Sequence, residues 1–222
     1  MSEEELNGRL AQTDPLWSRH AWLRAETLQT LAAVNEQCLQ LLCEQSAHDS
    51  SGGGALTREL TGLWGILDAP ARARAARCPC LLMDVGFMRA SRWRWSRDSQ
   101  VRDSERIAEP GAFFSVPATV GVMRLVLTYA WHLACSQSAA ARLLLGMSGR
   151  SVELIAGCTL SEVTQLAERS PQWLVPRWPD YLPFWRELLT AAVGADRVAL
   201  ERTGLRAVQL LAGEIRIRAE NE

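Results

Sequence analysis

The sequence predicts an all-α protein. Apolar residues recur at three- and four-residue spacing along most of the chain, and helix-capping residues stand where several of these runs begin. No segment shows the alternation of apolar and polar residues that is typical of a strand. The 222 residues suffice for one large or two small domains. The predicted order is a disordered N-terminus (1–12), a helical domain (13–88), a charged Arg/Trp loop (89–112) and a second helical domain (113–222).

The N-terminal domain is predicted to contain two main helices. The first begins at Asp14-Pro15, where proline suits the first turn, and runs to about Gln45. A Gly/Ser loop follows at 49–54. The second helix has one apolar face and is interrupted by Pro70; that face consists of Leu56, Leu60, Leu63, Trp64 and Leu67.

The C-terminal domain is predicted to begin with a long apolar helix. Ser115 is a plausible cap for it, and Pro117 fits its first turn. A Pro/Trp-rich segment follows Pro171. Two further helices, over about 181–193 and 196–218, complete the chain.

Between these helices, residues 140–171 have the outline of a helix-turn-helix. Gly146 ends one helical piece, and Ser148 can cap the next. Thr159 and Glu162 have the spacing of a capping box, in which each side chain satisfies a backbone N–H at the helix start. Short helices joined by a tight, glycine-containing turn predict a compact hairpin of this class.

The same segment resembles the flagellar transcriptional activator FlhD family. The similarity covers about residues 117–214, without a gap from about Ala130 to Glu168, and does not extend to the first hundred or so residues. In that family an Ala-rich helix, a short helix and a helix ending in Leu-Ala-Glu precede an aromatic-Arg-aromatic element. The corresponding positions here are Arg142, Leu145-Gly146-Met147, Cys158-Thr159-Leu160, Leu166-Ala167-Glu168 and Arg177-Trp178.

This resemblance implies a transcriptional regulator that acts at promoters together with a FlhC-like partner. DNA would be bound through the complex, and the chain would form a homodimer through the long helix that begins at Pro117. Some family members have a cysteine before the aromatic-Arg-aromatic element that links two subunits. Residues 173–176 contain no cysteine, so the expected dimer is non-covalent.

Charge argues against a chain that binds DNA alone. The net charge is −1 and the pI is about 6.3, whereas an autonomous DNA-binding domain has a basic face and a high pI. The basic residues are all arginine, which can bind phosphate in a bidentate manner. The candidate nucleic-acid-binding residues are Arg150, Ser161, Gln165, Arg169 and Arg177. Nearby glutamates would repel phosphate, so a purely structural hairpin is the competing interpretation.

Two Arg/Trp clusters are candidate interaction sites. The first contains Arg92, Trp93, Arg94 and Trp95, and the second contains Trp173 and Trp178. Trp and Arg dominate protein–protein hot spots, and interleaved with each other they can also hold nucleic acid. The alternative is that the rings anchor these segments to the core.

No catalytic, metal or cofactor site is predicted, and we expect a protein that is not an enzyme. The histidines are far apart in sequence, and His132, on an apolar helix, is expected to lie in the core. The six cysteines have no zinc or redox spacing and are expected to be reduced thiols in helix cores. Without a signal-peptide pattern or an apolar span, the expected location is cytoplasmic, with no membrane contact. The alternative function is a scaffold or adaptor of a secretion or motility apparatus.

Overall fold

A computed structural model describes residues 24–48, 54–94 and 112–219, and its fold is all-α as predicted. The predicted disordered segment 1–12 lies outside these ranges. The helices are α1 (Ala25–His48), α2 (Ala55–Glu59), α3 (Thr61–Ile66), α4 (Ala69–Ala75), α5 (Ala90–Arg94), α6 (Thr119–Ser136), α7 (Ser138–Leu145), α8 (Gly149–Ala156), α9 (Leu160–Arg169), α10 (Leu182–Val193) and α11 (Arg197–Ala219).

The first helix follows its apolar pattern closely. α1 buries residues three and four apart, including Leu31, Val34, Cys38 and Leu42, because these positions fall on one side of a helix. Its end at His48 is close to the predicted one. The part of the predicted helix before Arg24 lies outside the described residues.

The second predicted helix is two short ones, α2 and α3, separated at Leu60. Leu60 has φ −108° and ψ 15°, and glycines at 62 and 65 lower the helix propensity of this stretch. Most of the predicted face is nevertheless buried. Within it, Trp64 donates its indole N–H to the carbonyl of Leu56 at 3.1 Å. Pro70 occupies the first turn of α4, behind the capping residue Asp68, and therefore begins a helix where an interruption was predicted.

Two strands of two residues each correct the expectation that the chain has none. β1 (Met83–Asp84) pairs antiparallel with β2 (Val175–Pro176), with Met83 opposite Pro176. Each is too short to show an alternating pattern, so sequence periodicity could not reveal them. A single turn of 3₁₀ helix, Pro171–Trp173, precedes β2.

The long helix α6 begins later than predicted. Its N-cap is Ala118, and Ser115 instead donates its backbone N–H to Gln45 of α1 at 2.8 Å. Ser115 is therefore used in a contact between segments that lie far apart in sequence. α6 packs against α1, α7, α8 and α9, and therefore lies at the centre of the fold.

The described helices share one hydrophobic core. Residues from both predicted domains belong to it, and polar contacts also join them. Tyr129 of α6 donates to the carbonyl of Thr27 at 2.9 Å, and Arg74 donates to the carbonyl of Ala192 at 2.7 Å. The boundary predicted at 89–112 therefore does not separate two cores within the described chain.

Candidate functional site

The hairpin of α7, α8 and α9 has the caps that its sequence predicts. Gly146 ends α7 in the left-handed conformation, with φ 64°. Ser148 caps α8 by accepting from the backbone of Ser151 at 3.0 Å. Thr159 and Glu162 form the complete capping box, in which Thr159 N–H donates to the carboxylate at 2.6 Å and Glu162 N–H donates to the hydroxyl at 3.2 Å. The predicted helix-turn-helix outline is confirmed as local structure.

The third helix of this hairpin has one buried and one exposed face. Val163 and Ala167 are buried where α9 packs against α6. Ser161, Gln165 and Arg169 are exposed, as predicted, because they lie on the opposite side. The described hairpin therefore presents these three side chains to solvent.

The charges of the hairpin nevertheless cancel. Residues 140–171 contain three arginines and three glutamates, so their formal sum is zero. Arg150 is exposed but lies 2.7 Å from Glu153, and Glu168 lies 2.9 Å from Arg124 of α6. Phosphate contacts require unneutralised cations, so this face has little to attract a duplex.

Arg177 does not lie with the other predicted nucleic-acid residues, because it is buried. Only 4% of it is exposed. Its guanidinium donates to the carbonyls of Leu81, at 2.9 Å, and of Leu145, and to Glu214 of α11 at 3.3 Å. Asp84 lies 3.8 Å away. A contact between Arg177 and nucleic acid is incompatible with this position; the residue joins four segments of the fold.

The predicted Arg/Trp cluster around residue 93 is also largely internal. Trp93 is buried, stacks on Phe87 with 5.8 Å between ring centroids, and donates to the carbonyl of Gly86 at 3.3 Å. Arg92 donates to the carbonyl of Val85 at 3.1 Å and lies over the ring of Trp173 at 4.6 Å. Trp93 is thus an anchor and is not exposed for docking. Arg94 ends α5, and Trp95 lies outside the described residues.

The second cluster has a similar structural use. Trp173 is half-buried and meets Trp93 edge-on at 6.3 Å. Trp178, also half-buried, donates its indole N–H to Glu214 at 2.8 Å and packs edge-on against Phe184 at 4.9 Å. Trp173, before β2, therefore contacts α5, and Trp178, after β2, contacts both α10 and α11.

Two other expectations about single residues need correction. His132 is exposed on α6 and is not a core histidine. The cysteines are free thiols, but only Cys38, Cys78 and Cys80 are buried, while Cys135 is exposed on α6. The apolar face of α6 points towards its four neighbouring helices, and these two residues lie on the remaining strip.

A surface that the sequence analysis did not single out lies between α10 and α11. An open cleft of about 530 Å³ is lined by Arg186 of α10, Arg202 of α11 and the threonines 190 and 203, among others. Neither Arg186 nor Arg202 has an ion-pair partner among the residues that the structure describes. The cleft therefore offers two cations from neighbouring helices, beside the carboxylates of Glu187 and Asp196, of which Glu187 is paired with Arg206.

Large apolar side chains on α11 are exposed close to these cations. Val198 is 71% exposed and Leu205 is 68% exposed. Residues 198, 202 and 205 are spaced four and three apart, which places both apolar side chains and Arg202 on one helix face. α11 contains five arginines and two glutamates, a net charge of +3 in a chain of net charge −1. We call Arg186, Val198, Arg202 and Leu205 the α10–α11 face. The positive charge of α11 can be seen in the sequence and could have indicated this face. The contribution of Arg186 from α10 can be seen only in the tertiary structure.

Comparison with protein-family models, with curated proteins and with solved structures finds no match to this chain. Among the described helices, none is long and apolar enough to cross a membrane. The described residues also contain no group of three or more His, Cys, Asp or Glu side chains placed to hold a metal ion.

Proposed function

We propose that this protein is a FlhD-like subunit of a transcriptional regulator that acts at promoters through a FlhC-like protein partner. The observation that carries this proposal is the α10–α11 face, where exposed leucine and valine side chains lie beside Arg186 and Arg202. Apolar anchors surrounded by charge are the usual composition of a protein-binding surface. The partner surface would be largely apolar, with carboxylates placed opposite Arg186 and Arg202.

The neutral charge of the helix-turn-helix supports a division of labour within the complex. Its three arginines are balanced by three glutamates, so the partner would supply most of the phosphate contacts. Ser161, Gln165 and Arg169 remain candidates for contacts with DNA inside the complex, because all three are exposed. The resemblance to the FlhD family supports the same arrangement.

The proposed homodimer would use the exposed strip of α6. The other sides of this helix pack against α1, α7, α8 and α9. Arg124, Leu125 and His132 are exposed on the strip. Since the strip is narrow, a dimer there would have to include residues of neighbouring helices to reach the area of a stable interface.

Co-expression with the FlhC-like proteins of the same genome tests the proposal. We expect one of them to co-purify in a fixed ratio and to shift promoter DNA only when both proteins are present. Leu205→Asp should abolish co-purification, because it places a charge among the apolar anchors. Leu143→Asp is the matched control, since Leu143 is also exposed, at 50%, but lies on α7. The absence of any DNA-binding partner, with no shift in its presence or absence, contradicts the proposal.

A scaffold or adaptor in a secretion or motility apparatus is the second candidate, and the same face favours it. In that case the Leu205→Asp variant should lose export or motility components from its complexes. Deleting the protein should then leave transcript levels unchanged. A transcript change on deletion, with a promoter-bound partner, supports the regulator instead.

A further inference from the structure

Two cysteine sulfurs face each other beneath the α10–α11 face. The Sγ atoms of Cys78 and Cys80 lie 3.8 Å apart. Cys78 is 6% exposed and Cys80 is completely buried. Both are free thiols. They flank Pro79 in the segment that connects α4 to β1, so a bond between them would close a very small ring.

The backbone around these thiols is hydrogen-bonded to α1. Asn35 of α1 donates its side-chain amide to the carbonyls of Ala76, Cys78 and Cys80, at 3.2, 3.3 and 3.0 Å. The amide oxygen of Asn35 accepts from Leu82 N–H at 2.9 Å. One buried side chain thus fixes both ends of the segment, and the two sulfurs remain in contact.

The two thiols differ in acidity. The pKa of Cys80 is lowered, chiefly because the thiol of Cys78 hydrogen-bonds to its sulfur and also because the Arg177 guanidinium lies near; burial opposes this shift. The pKa of Cys78 is raised by the same hydrogen bond and by burial. Thiolates are the reactive form of cysteine, and the Arg177 guanidinium favours a thiolate on this pair. Either sulfur can donate in the contact between them, and we take Cys80 as the nucleophile.

We propose that Cys78 and Cys80 are a hydroperoxide-sensitive dithiol that closes to a disulfide and thereby loosens α11. The Cys80 thiolate attacks one peroxide oxygen, an S–O bond forms, the O–O bond breaks, and the departing hydroxide takes a proton from solvent. The Cys78 sulfur then attacks the sulfenic acid. The S–S bond forms, the S–O bond breaks, and hydroxide leaves as water with the Cys78 proton. Two thiols are oxidised and one hydroperoxide is reduced.

The burial of Cys78 and Cys80 limits which oxidants can reach them. Cys78 is only slightly exposed and Cys80 is completely buried, so a molecule the size of hydrogen peroxide has better access to the pair than a bulky disulfide. A dithiol reductant restores the reduced pair once the segment opens.

The link to α11 runs through two contacts. A Cβ placed on Gly204 of α11 would lie 3.1 Å from the ring of Pro79, so this proline packs directly on the helix backbone. Arg177 connects the carbonyl of Leu81, next to Cys80, with Glu214 of α11. Closure must bring the sulfurs from 3.8 Å to about 2.05 Å, which moves Pro79 and Leu81. Regulation of partner binding by this route rests on the proposed function; the dithiol chemistry does not.

The experiment treats the reduced full-length protein with low hydrogen peroxide and alkylates the remaining thiols after denaturation. Tryptic cleavage yields residues 78–89, which contain Cys78 and Cys80 and no other cysteine. We expect this peptide to lose two hydrogens and to escape alkylation, and dithiothreitol should reverse both changes. Oxidation of Met83 or Met88 adds oxygen and is thereby distinguished. Two alkylated cysteines in the oxidised sample overturn the proposal.

Single variants assign the roles of the two sulfurs. Cys78→Ser should leave a Cys80 sulfenic acid that dimedone traps, whereas Cys80→Ser should give little trapping at Cys78. Cys135→Ser is the control, since Cys135 is exposed on another helix, and it should leave the disulfide unchanged. Equal trapping at both positions contradicts the assignment of Cys80 as nucleophile.

Hydrogen exchange tests the effect on α11. In the oxidised protein, amides of residues 203–214 should exchange about tenfold faster, because opening of that helix costs less free energy. Amides of α9 should be unchanged. If the disulfide forms and exchange in α11 stays the same, the proposed relay is wrong even though the dithiol chemistry holds. Neither readout requires a partner protein, so failure here is distinguishable from failure of the proposed function.

Discussion

The α7–α9 hairpin and the α10–α11 face both carry exposed arginines, yet their surroundings differ. In the hairpin, Arg150 is paired with Glu153 and the total charge is zero. On the α10–α11 face, Arg186 and Arg202 have no ion-pair partner among the described residues, and apolar side chains lie beside them. The hairpin has the outline of a DNA-binding motif, whereas the α10–α11 face combines highly exposed apolar side chains with two arginines, beside the carboxylates of Glu187 and Asp196. The outline of a DNA-binding motif therefore does not by itself identify the surface that binds a partner.

Arg177 joins these two regions, and removing it should have the largest effect. Its guanidinium connects the end of α7 at Leu145 with Glu214 of α11. Arg177→Ala should lower the free energy of unfolding by about 3–5 kcal/mol, because it leaves the carbonyls of Leu81 and Leu145 without their donor and removes the ion pair with Glu214. Urea denaturation measures the change.

Arg142→Ala is the control for that experiment, since Arg142 is exposed on α7 and should change stability by less than about 0.5 kcal/mol. Arg177→Lys keeps the charge but not the planar fork, so its stability should be intermediate. A loss for Arg177→Ala as small as that of the control contradicts the assigned role as a buried joint.

The burial of Arg177 could not be predicted from the sequence, whereas the local helix caps could. The caps at Ser148 and Thr159 were predictable because donor and acceptor lie within three residues of each other. Arg177 finds its acceptors at positions 81, 145 and 214, and one sequence does not show which distant carbonyls meet. Its flanking tryptophans and prolines were compatible with docking and with burial alike.

The same limit applies to the α10–α11 face. The exposed apolar residues of α11 follow helical spacing, but their exposure depends on α11 packing chiefly along α10 on its other side. Arg186 and Arg202 line one cleft because the two helices are antiparallel neighbours across a short turn. Sequence patterns predict which residues share a face of each helix, but tertiary packing determines which face is buried.

Gly146 is the second contact between the two regions. It has φ 64°, and an added Cβ would lie 2.6 Å from Leu211 of α11. Gly146→Ala should therefore lower the free energy of unfolding by about 2 kcal/mol, from backbone strain and from displacement of the leucine. Thermal unfolding at matched concentration measures the change.

Gly149→Ala provides a matched control, because nothing lies within 4 Å of a Cβ at Gly149. It begins α8, and alanine there should leave stability unchanged or raise it slightly. Equal destabilisation by both variants would contradict the strain and the close packing assigned to Gly146.

Charge reversal compares the two surfaces directly. Arg186→Glu with Arg202→Glu should weaken binding of the proposed FlhC-like partner about tenfold, and most strongly at low salt, because opposite charges across an interface attract. Arg142→Glu with Arg169→Glu alters two exposed arginines of the hairpin and should leave that affinity unchanged. Titration calorimetry at two salt concentrations gives both values. A larger effect from the hairpin pair reverses the assignment of the partner surface.

Removing the capping box of α9 should have the smallest effect on stability, and that effect should be confined to this helix. Thr159→Ala removes the hydroxyl that accepts from Glu162 N–H and should lower the free energy of unfolding by about 1 kcal/mol. Ser161→Ala is the control, since its exposed side chain takes no part in the cap. Hydrogen exchange should rise at the first turn of α9 and remain unchanged in α10 and α11. Partner affinity should be unaltered if docking uses the α10–α11 face, whereas a matching loss of affinity would show that the partner binds the start of α9.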